Sequence, residues 1–270
     1  MSGQYESKVV LITGGGGGIG RAAAGRFLDE GARVVLSGTR AAVLEAARDE
    51  LDPRGDRVAI HPGHITGRAD AQALVEAAVE RFGGVDVLVN STGIFRPVPF
   101  LEQTEEQLEE ALGSILRPTF WVSQAAAGAM LERGGGAIIN VGSMWAVDAI
   151  ATTPTSAYSA AQAGRHALTK NLAIELAPEG IRVNAVALAF VETPAYERFM
   201  TREQAQEVLD SVDGFHPLGR RGRPEDVVEA ILYLAGPDAA WITGTTLPID
   251  GGVLAGRAPA PQPEPAHAAA

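Results

Sequence analysis

Apolar and polar positions alternate along this chain in two rhythms. Short runs rich in Val, Ile and Leu read as buried strands: "KVVLIT" (8–13), "RVVLSG" (33–38), "RVAIHPG" (57–63) and "DVLVNSTG" (86–93). "GAIINVGS" (136–143), "IRVNAVAL" (181–188) and "TTLPID" (245–250) continue the series. Between them lie stretches of helical period: "GIGRAAAGRFLDEG" (18–31, closed by Gly31), "AAVLEAARDEL" (41–51), roughly 68–82, 156–177 and 224–236. The stretch 104–132 reads as one long helix with a kink at Pro118. Strands and helices in strict alternation predict an α/β fold, a parallel sheet of about seven strands covered by helices on both faces.

Composition narrows the function classes. With 270 residues, 46% of them hydrophobic, the chain can fill one large core, so residues 1–255 are expected to form a single domain. The Pro/Ala-rich stretch 256–270 cannot bury a core and is expected to be a disordered tail. A net charge of −11 opposes a nucleic-acid partner. No apolar run is long enough to span a bilayer and "MSGQYESK" lacks signal-peptide features, so a cytoplasmic protein is expected. The absence of cysteine removes disulfides and thiolate chemistry. His61 and His64 have no third convergent ligand, so no metal site is expected.

The stretch "TGGGGGIG" (13–20) lies between the first strand and the first helix. Gly14, Gly18 and Gly20 let the backbone approach a pyrophosphate, and the helix start offers free N–H groups to it. A mere turn would not need five consecutive glycines. This loop, with "DVLVNSTG", "INVGS" (139–143), "AYSAAQAG" (157–164), "IRVNAVALAFVET" (181–193) and "PEDVVEAILYLAGPDAAWITGTTLPIDGG" (224–252), resembles the short-chain dehydrogenase/reductase family over residues 8–252. The resemblance implies a Rossmann-type, doubly wound sheet and a nicotinamide dinucleotide held by Thr13, Gly14, Gly18, Ile19, Gly20, Asn90, Gly93, Gln162 and Thr193. The second strand ends "SGTR", with Gly38 where NAD-preferring relatives carry Asp. Ser37, Thr39 and Arg40 suit a 2′-phosphate, so NADP is expected, with NAD as the alternative. Against it, the glycine loop carries Gly17 rather than a basic residue, and His64 replaces an acidic residue after the third strand.

The same resemblance implies Tyr158 as acid–base group and Ser143 as holder of the substrate oxygen. It also exposes departures. The lysine expected four residues after the tyrosine is Gln162, the asparagine of the long helix is Ile115 (beside Ser114), and a Pro-Gly is Leu188-Ala189. A unit charge about 5 Å from a phenolate, at an effective dielectric near 20, is worth roughly 3 kcal/mol, or about two pKa units. Arg165 and Lys170 lie roughly 10 and 18 Å further along the helix axis and are not expected to replace that charge. The site is thus expected to have a weakened proton relay, which favours carbonyl reduction over alcohol oxidation. Gln162 remains able to bond a ribose hydroxyl.

Phe95, Trp145, Phe190, Tyr196, Phe199, Met200, Phe215 and His216 suggest a small to medium apolar or aromatic substrate, and Asp148 offers a substitute acid–base group. An NADP-dependent oxidoreductase is the first reading. A non-redox enzyme on the same fold (dehydratase, isomerase or cyclase) and a catalytically degenerate binding subunit are the alternatives. The C-terminal resemblance implies a homotetramer, or a dimer.

Overall fold

The computed structural model describes residues 3–150, 153–194, 196 and 200–256. The elements run β1 (Val9–Thr13), α1 (Gly18–Asp29), β2 (Arg33–Gly38), α2 (Ala41–Leu51), β3 (Val58–Pro62), α3 (Arg68–Phe82), β4 (Val87–Asn90) and α4 (Glu105–Ala111). Then follow α5 (Arg117–Leu131), β5 (Gly136–Ser143), α6 (Ser156–Leu176), β6 (Ile181–Leu188), α7 (Arg202–Ser211), α8 (Pro224–Ala235) and β7 (Thr246–Ile249). The seven strands form one sheet in the order β3-β2-β1-β4-β5-β6-β7, every pair parallel.

Period-two alternation divides each inner strand between two cores. Val10 and Ile12 of β1 join Phe27 of α1, Leu44 of α2 and Ile231 of α8 on one face. Val9 and Leu11 join Leu74 of α3, Val122 and Met130 of α5 and Ala173 of α6 on the other. Covering both faces leaves the strand ends as the open edge of the sheet, where a ligand binds in such folds.

Two sequence expectations change. The stretch 104–132 is two α-helices joined by a π-helical segment, Leu112–Leu116. Pro118 lacks an N–H and its ring crowds the carbonyl four residues back. The irregularity therefore falls in the turn before it, and Pro118 opens α5 without strain. α7 was not anticipated, although Thr201 and Gln204 form a capping box at its start. The expected tail lies almost wholly outside the described residues.

Candidate functional site

A cavity of about 650 Å³ opens at the carboxyl ends of the strands. It is lined by Thr13, Gly14, Gly18, Ile19 and Gly20, with Thr193 packed against Gly18, and by Ser143, Tyr158 and Gln162. Thr39, Arg40 and Gly93 line it as well.

The glycine loop is shaped by close approach. Gly14 has φ +70°, and a Cβ there would strike the backbone of Ser91; one on Gly20 would strike the carbonyl of Gly14. α1 is capped by Gly17, which has no side chain to offer, so the first N–H groups of the helix receive no side-chain cap. Backbone donors of this kind at the end of a cavity fit the phosphates of a dinucleotide. At the neighbouring strand end Arg40 is exposed and makes no ion pair among the described residues. Asn90 differs from its expected role. It is fully buried, and its side-chain amide donates to Ser123 Oγ (3.0 Å) and Asn140 Oδ1 (2.9 Å) rather than lining the cavity. Asn140 in turn donates to Thr169 Oγ1 (2.9 Å), so the network ties β4, β5, α5 and α6 together beneath the site.

Tyr158 and Gln162 are one turn apart on α6. Gln162 Nε2 donates to Tyr158 Oη at 3.0 Å. Gln162 Oε1 accepts from Arg165 Nη1 at 3.4 Å. This corrects the expectation for Arg165. Its Cα is far along the axis, but a helical side chain leans toward the N-terminus, and a long one spans the intervening turn. The guanidinium is 1% exposed and also donates to Thr119 Oγ1 (2.9 Å), Val141 O (2.5 Å), Thr92 O (2.7 Å) and Ile115 O (3.0 Å). Burial pushes its pKa down to about 10, so it stays charged near neutrality. Ile115, at the position expected for asparagine, sits in the π segment with a buried side chain, its carbonyl shared by Arg165 and Thr119 Oγ1 (2.6 Å).

Ser143 ends β5, buried, its Oγ accepting from Trp145 N at 3.4 Å. Phe95 packs edge-on against Tyr158 (5.1 Å between centroids) and beside Trp145 (5.5 Å), with Tyr196 at 6.5 Å. Burial pushes the Tyr196 phenol up. Phe190 backs Trp145 (5.0 Å) and, with Phe215 and His216, lies outside the cavity lining. Met200 is not part of that lining either, and Phe199 lies outside the described residues. Asp148 is overturned as a substitute acid: it is exposed and its carboxylate accepts from Ala149 N (2.8 Å), away from the cavity. Among the described residues no cluster of three His, Cys, Asp or Glu could hold a metal, and no helix is long and apolar enough to cross a membrane.

Comparison with known proteins agrees with this geometry. A family model described as enoyl-(acyl carrier protein) reductase matches residues 15–254. The chain is 36% identical to the 3-oxoacyl-(acyl-carrier-protein) reductase FabG of Vibrio cholerae, covering 92% of this chain and 98% of that one. The chain belongs to the short-chain dehydrogenase/reductase family. It is also 38% identical to a 2,3-dihydroxy-2,3-dihydro-p-cumate dehydrogenase of Pseudomonas putida, over 92% of this chain and 94% of that one. The crystal structure of a short-chain type dehydrogenase/reductase from Mycobacterium marinum superposes with a TM-score of 0.85 at 30% identity, over 92% and 96% of the two chains.

Thr92 of this short-chain dehydrogenase/reductase escaped the sequence reading, as did the reach of Arg165, whereas Trp145 was already among the expected pocket residues. Thr92 and Trp145 line the cavity, and their side-chain Oγ1 and Nε1 are buried without a partner, ready for a polar atom of a ligand. Of the two that escaped, only Arg165 had a readable signal. Gln162, Arg165, His166 and Thr169 put four polar residues on the buried face of α6, at core spacing.

Proposed function

We propose that this protein is an NADP(H)-dependent oxidoreductase that reduces a carbonyl on a small to medium apolar or aromatic substrate. The observation that carries the reading is the meeting of the glycine loop, Ser143 and Tyr158 in one cavity. A bound nicotinamide supplies the hydride, delivered to the carbonyl carbon. Ser143 Oγ holds the carbonyl oxygen, and the Tyr158 hydroxyl gives it a proton as negative charge builds there. The tyrosinate left behind recovers a proton from solvent, so one hydride and one proton make the alcohol. Gly14, Gly18, Ile19 and Gly20 cradle the pyrophosphate, and Thr193 serves the carboxamide. Arg40, with Thr39 beside it, faces a 2′-phosphate, which supports NADP over NAD. Phe95, Trp145 and Tyr196 form an aromatic wall suited to an apolar substrate, and Trp145 Nε1 and Thr92 Oγ1 add donors for a second polar group.

Oxidation of a ring-borne diol is the second reading. The same aromatic wall favours it, and it is the direction stated by the name of the Pseudomonas putida relative. Thermal melting with NADPH and NADH tests the shared premise. Ligand at about a hundred times its dissociation constant stabilises the chain by about 2.7 kcal/mol, a rise of roughly 5–11 °C. The expected result is a rise of that size with NADPH and a smaller one with NADH. No shift with either nucleotide ends the redox reading.

A further inference from the structure

We propose that Arg165 supplies, from one turn further down α6, the positive charge that a lysine at position 162 would bring, so that Tyr158 has a cation behind it. This rests on the reading of Tyr158 as the proton-handling group. Arg165 touches no reacting atom; it is a positioning residue that acts through Gln162 and through space.

The hydrogen-bond pattern leaves little freedom in the bridge. A guanidinium can only donate, so the oxygen of Gln162 must face Arg165. The amide NH2 must then face Tyr158, whose oxygen is the acceptor. A phenolate suits that arrangement better than a phenol does, because the bond strengthens as the acceptor gains negative charge. Gln162 is therefore a polarised spacer between a fixed cation and an oxygen that develops charge.

The surroundings of Arg165 point the same way. Five donor hydrogens meet five oxygens, and every one of those oxygens is neutral: Thr119 Oγ1, Gln162 Oε1 and the carbonyls of Val141, Thr92 and Ile115. Among the described residues it makes no ion pair. Burying a cation without an anion is expensive, and groups kept in that condition at a cavity cluster at functional sites. The anion that completes this one arises at Tyr158 during turnover. The π segment contributes as well, because the carbonyl of Ile115 holds the guanidinium where the family pattern places an asparagine.

The titratable groups around the network come from four elements. His166 and Lys170 share α6 with Tyr158, Tyr196 follows β6, and Glu110 of α4 and Arg117 of α5 line the same cavity. His166 is held neutral above about pH 4 by its burial and by the charges of Arg165 and Lys170. Glu110 is paired with Arg96 at 2.8 Å. Near and above neutrality this leaves Arg165 as the buried cation closest in the bonding chain to Tyr158. Arg165 keeps its proton near neutrality, so the effect on Tyr158 is electrostatic and Arg165 carries no proton traffic there. With a cation in place the tyrosinate is accessible as a base, and alcohol oxidation is open to this site as well as carbonyl reduction.

The test follows the ring signals of 13C-labelled tyrosine in the full-length, cofactor-free chain through a pH titration, with Tyr158→Phe assigning the signal. The chain has four tyrosines, and burial pushes Tyr5 and Tyr196 up out of the range read. Arg165→Gln is expected to move the Tyr158 titration alkaline by about one to two pH units. Arg165→Lys, which keeps the charge, should move it less than half as far. Equal shifts in the two variants, or none in either, overturn the proposal, since a purely structural arginine has no reason to distinguish them.

Gln162→Lys is the second arm and does not depend on the Arg165 variants folding. Two cations one turn apart repel, so it should melt at least about 5 °C below Gln162→Met. A melting point equal to or above that of Gln162→Met means no cation was there to repel, and the proposal fails. The outcomes separate from those of the parent reading. A chain that ignores both nucleotides but shows the charge-dependent titration loses the oxidoreductase reading and keeps the Arg165–Tyr158 coupling.

Discussion

Arg40 stands exposed where the cavity meets the end of β2, beside Thr39 and with no acidic residue between them. Its guanidinium, in no ion pair among the described residues, is well placed to tell a phosphate from a hydroxyl. Arg40→Ala is expected to weaken NADPH about tenfold, some 1.4 kcal/mol, while leaving NADH within twofold. Titration calorimetry with the two nucleotides reads that difference, and an equal loss for both would return Arg40 to being an ordinary surface charge. At this scale much of the site was legible from motifs and the family resemblance they carry. Tyr158, Ser143, Gln162 and the glycines are fixed by short motifs, and the structure gathers them in one cavity. Arg165 was misjudged because rise per residue measures backbone separation and ignores the reach and lean of a long side chain. Asn90 was misjudged for a different reason. A polar residue at a strand end can serve the sheet as readily as a ligand, and the two partners that engage it, Ser123 and Asn140, come from distant parts of the sequence.

Helix α6 carries more than the tyrosine. His166 is packed against β5 at Gly142, where a Cβ would collide with the imidazole, and its Nε2 is buried without a partner. Burial, with the charges of Arg165 and Lys170, pushes its pKa down to about 4 from an ordinary 6.5. Between those values the unfolded chain binds a proton that the folded chain refuses. Stability from this residue is therefore complete above about pH 6.5 and falls as pH drops toward 4, by about 3 kcal/mol in all. Denaturant unfolding at pH 7 and pH 5 should show part of that loss in the wild type and a flatter dependence in His166→Gln. Parallel curves would remove His166 as the cause. The elements themselves were the most legible part of the chain, with β2, α2, α3, β5 and β6 matching the sequence reading at both ends. The π segment was not readable, because periodicity carries straight through 104–132 and the widened turn follows from Pro118 acting on the turn before it. The capping box of α7 was present in the letters, but low hydrophobicity masked the helix behind it.

The molecule as a whole presents apolar side chains with no cover of their own. Phe120 and Leu131 on α5, Ile174 on α6 (77% exposed) and Trp241 (99% exposed) lie on the surface of a chain whose net charge is −11. Self-association is the economical way to hide them, and sedimentation is expected to find four chains per particle. Phe120→Glu combined with Ile174→Glu should reduce that number and lower the melting temperature. A wild-type monomer at micromolar concentration would rule the assembly out. Four of the five bonds of Arg165 reach the segment after β4, the π segment, α5 and β5, so one charge fastens most of the cavity end of the sheet. Such a fastening makes the site stiff where it must be. Taking the guanidinium away would leave the carbonyls of Thr92, Ile115 and Val141 without this donor at the same moment, so the four pieces of the cavity floor would loosen together rather than one by one.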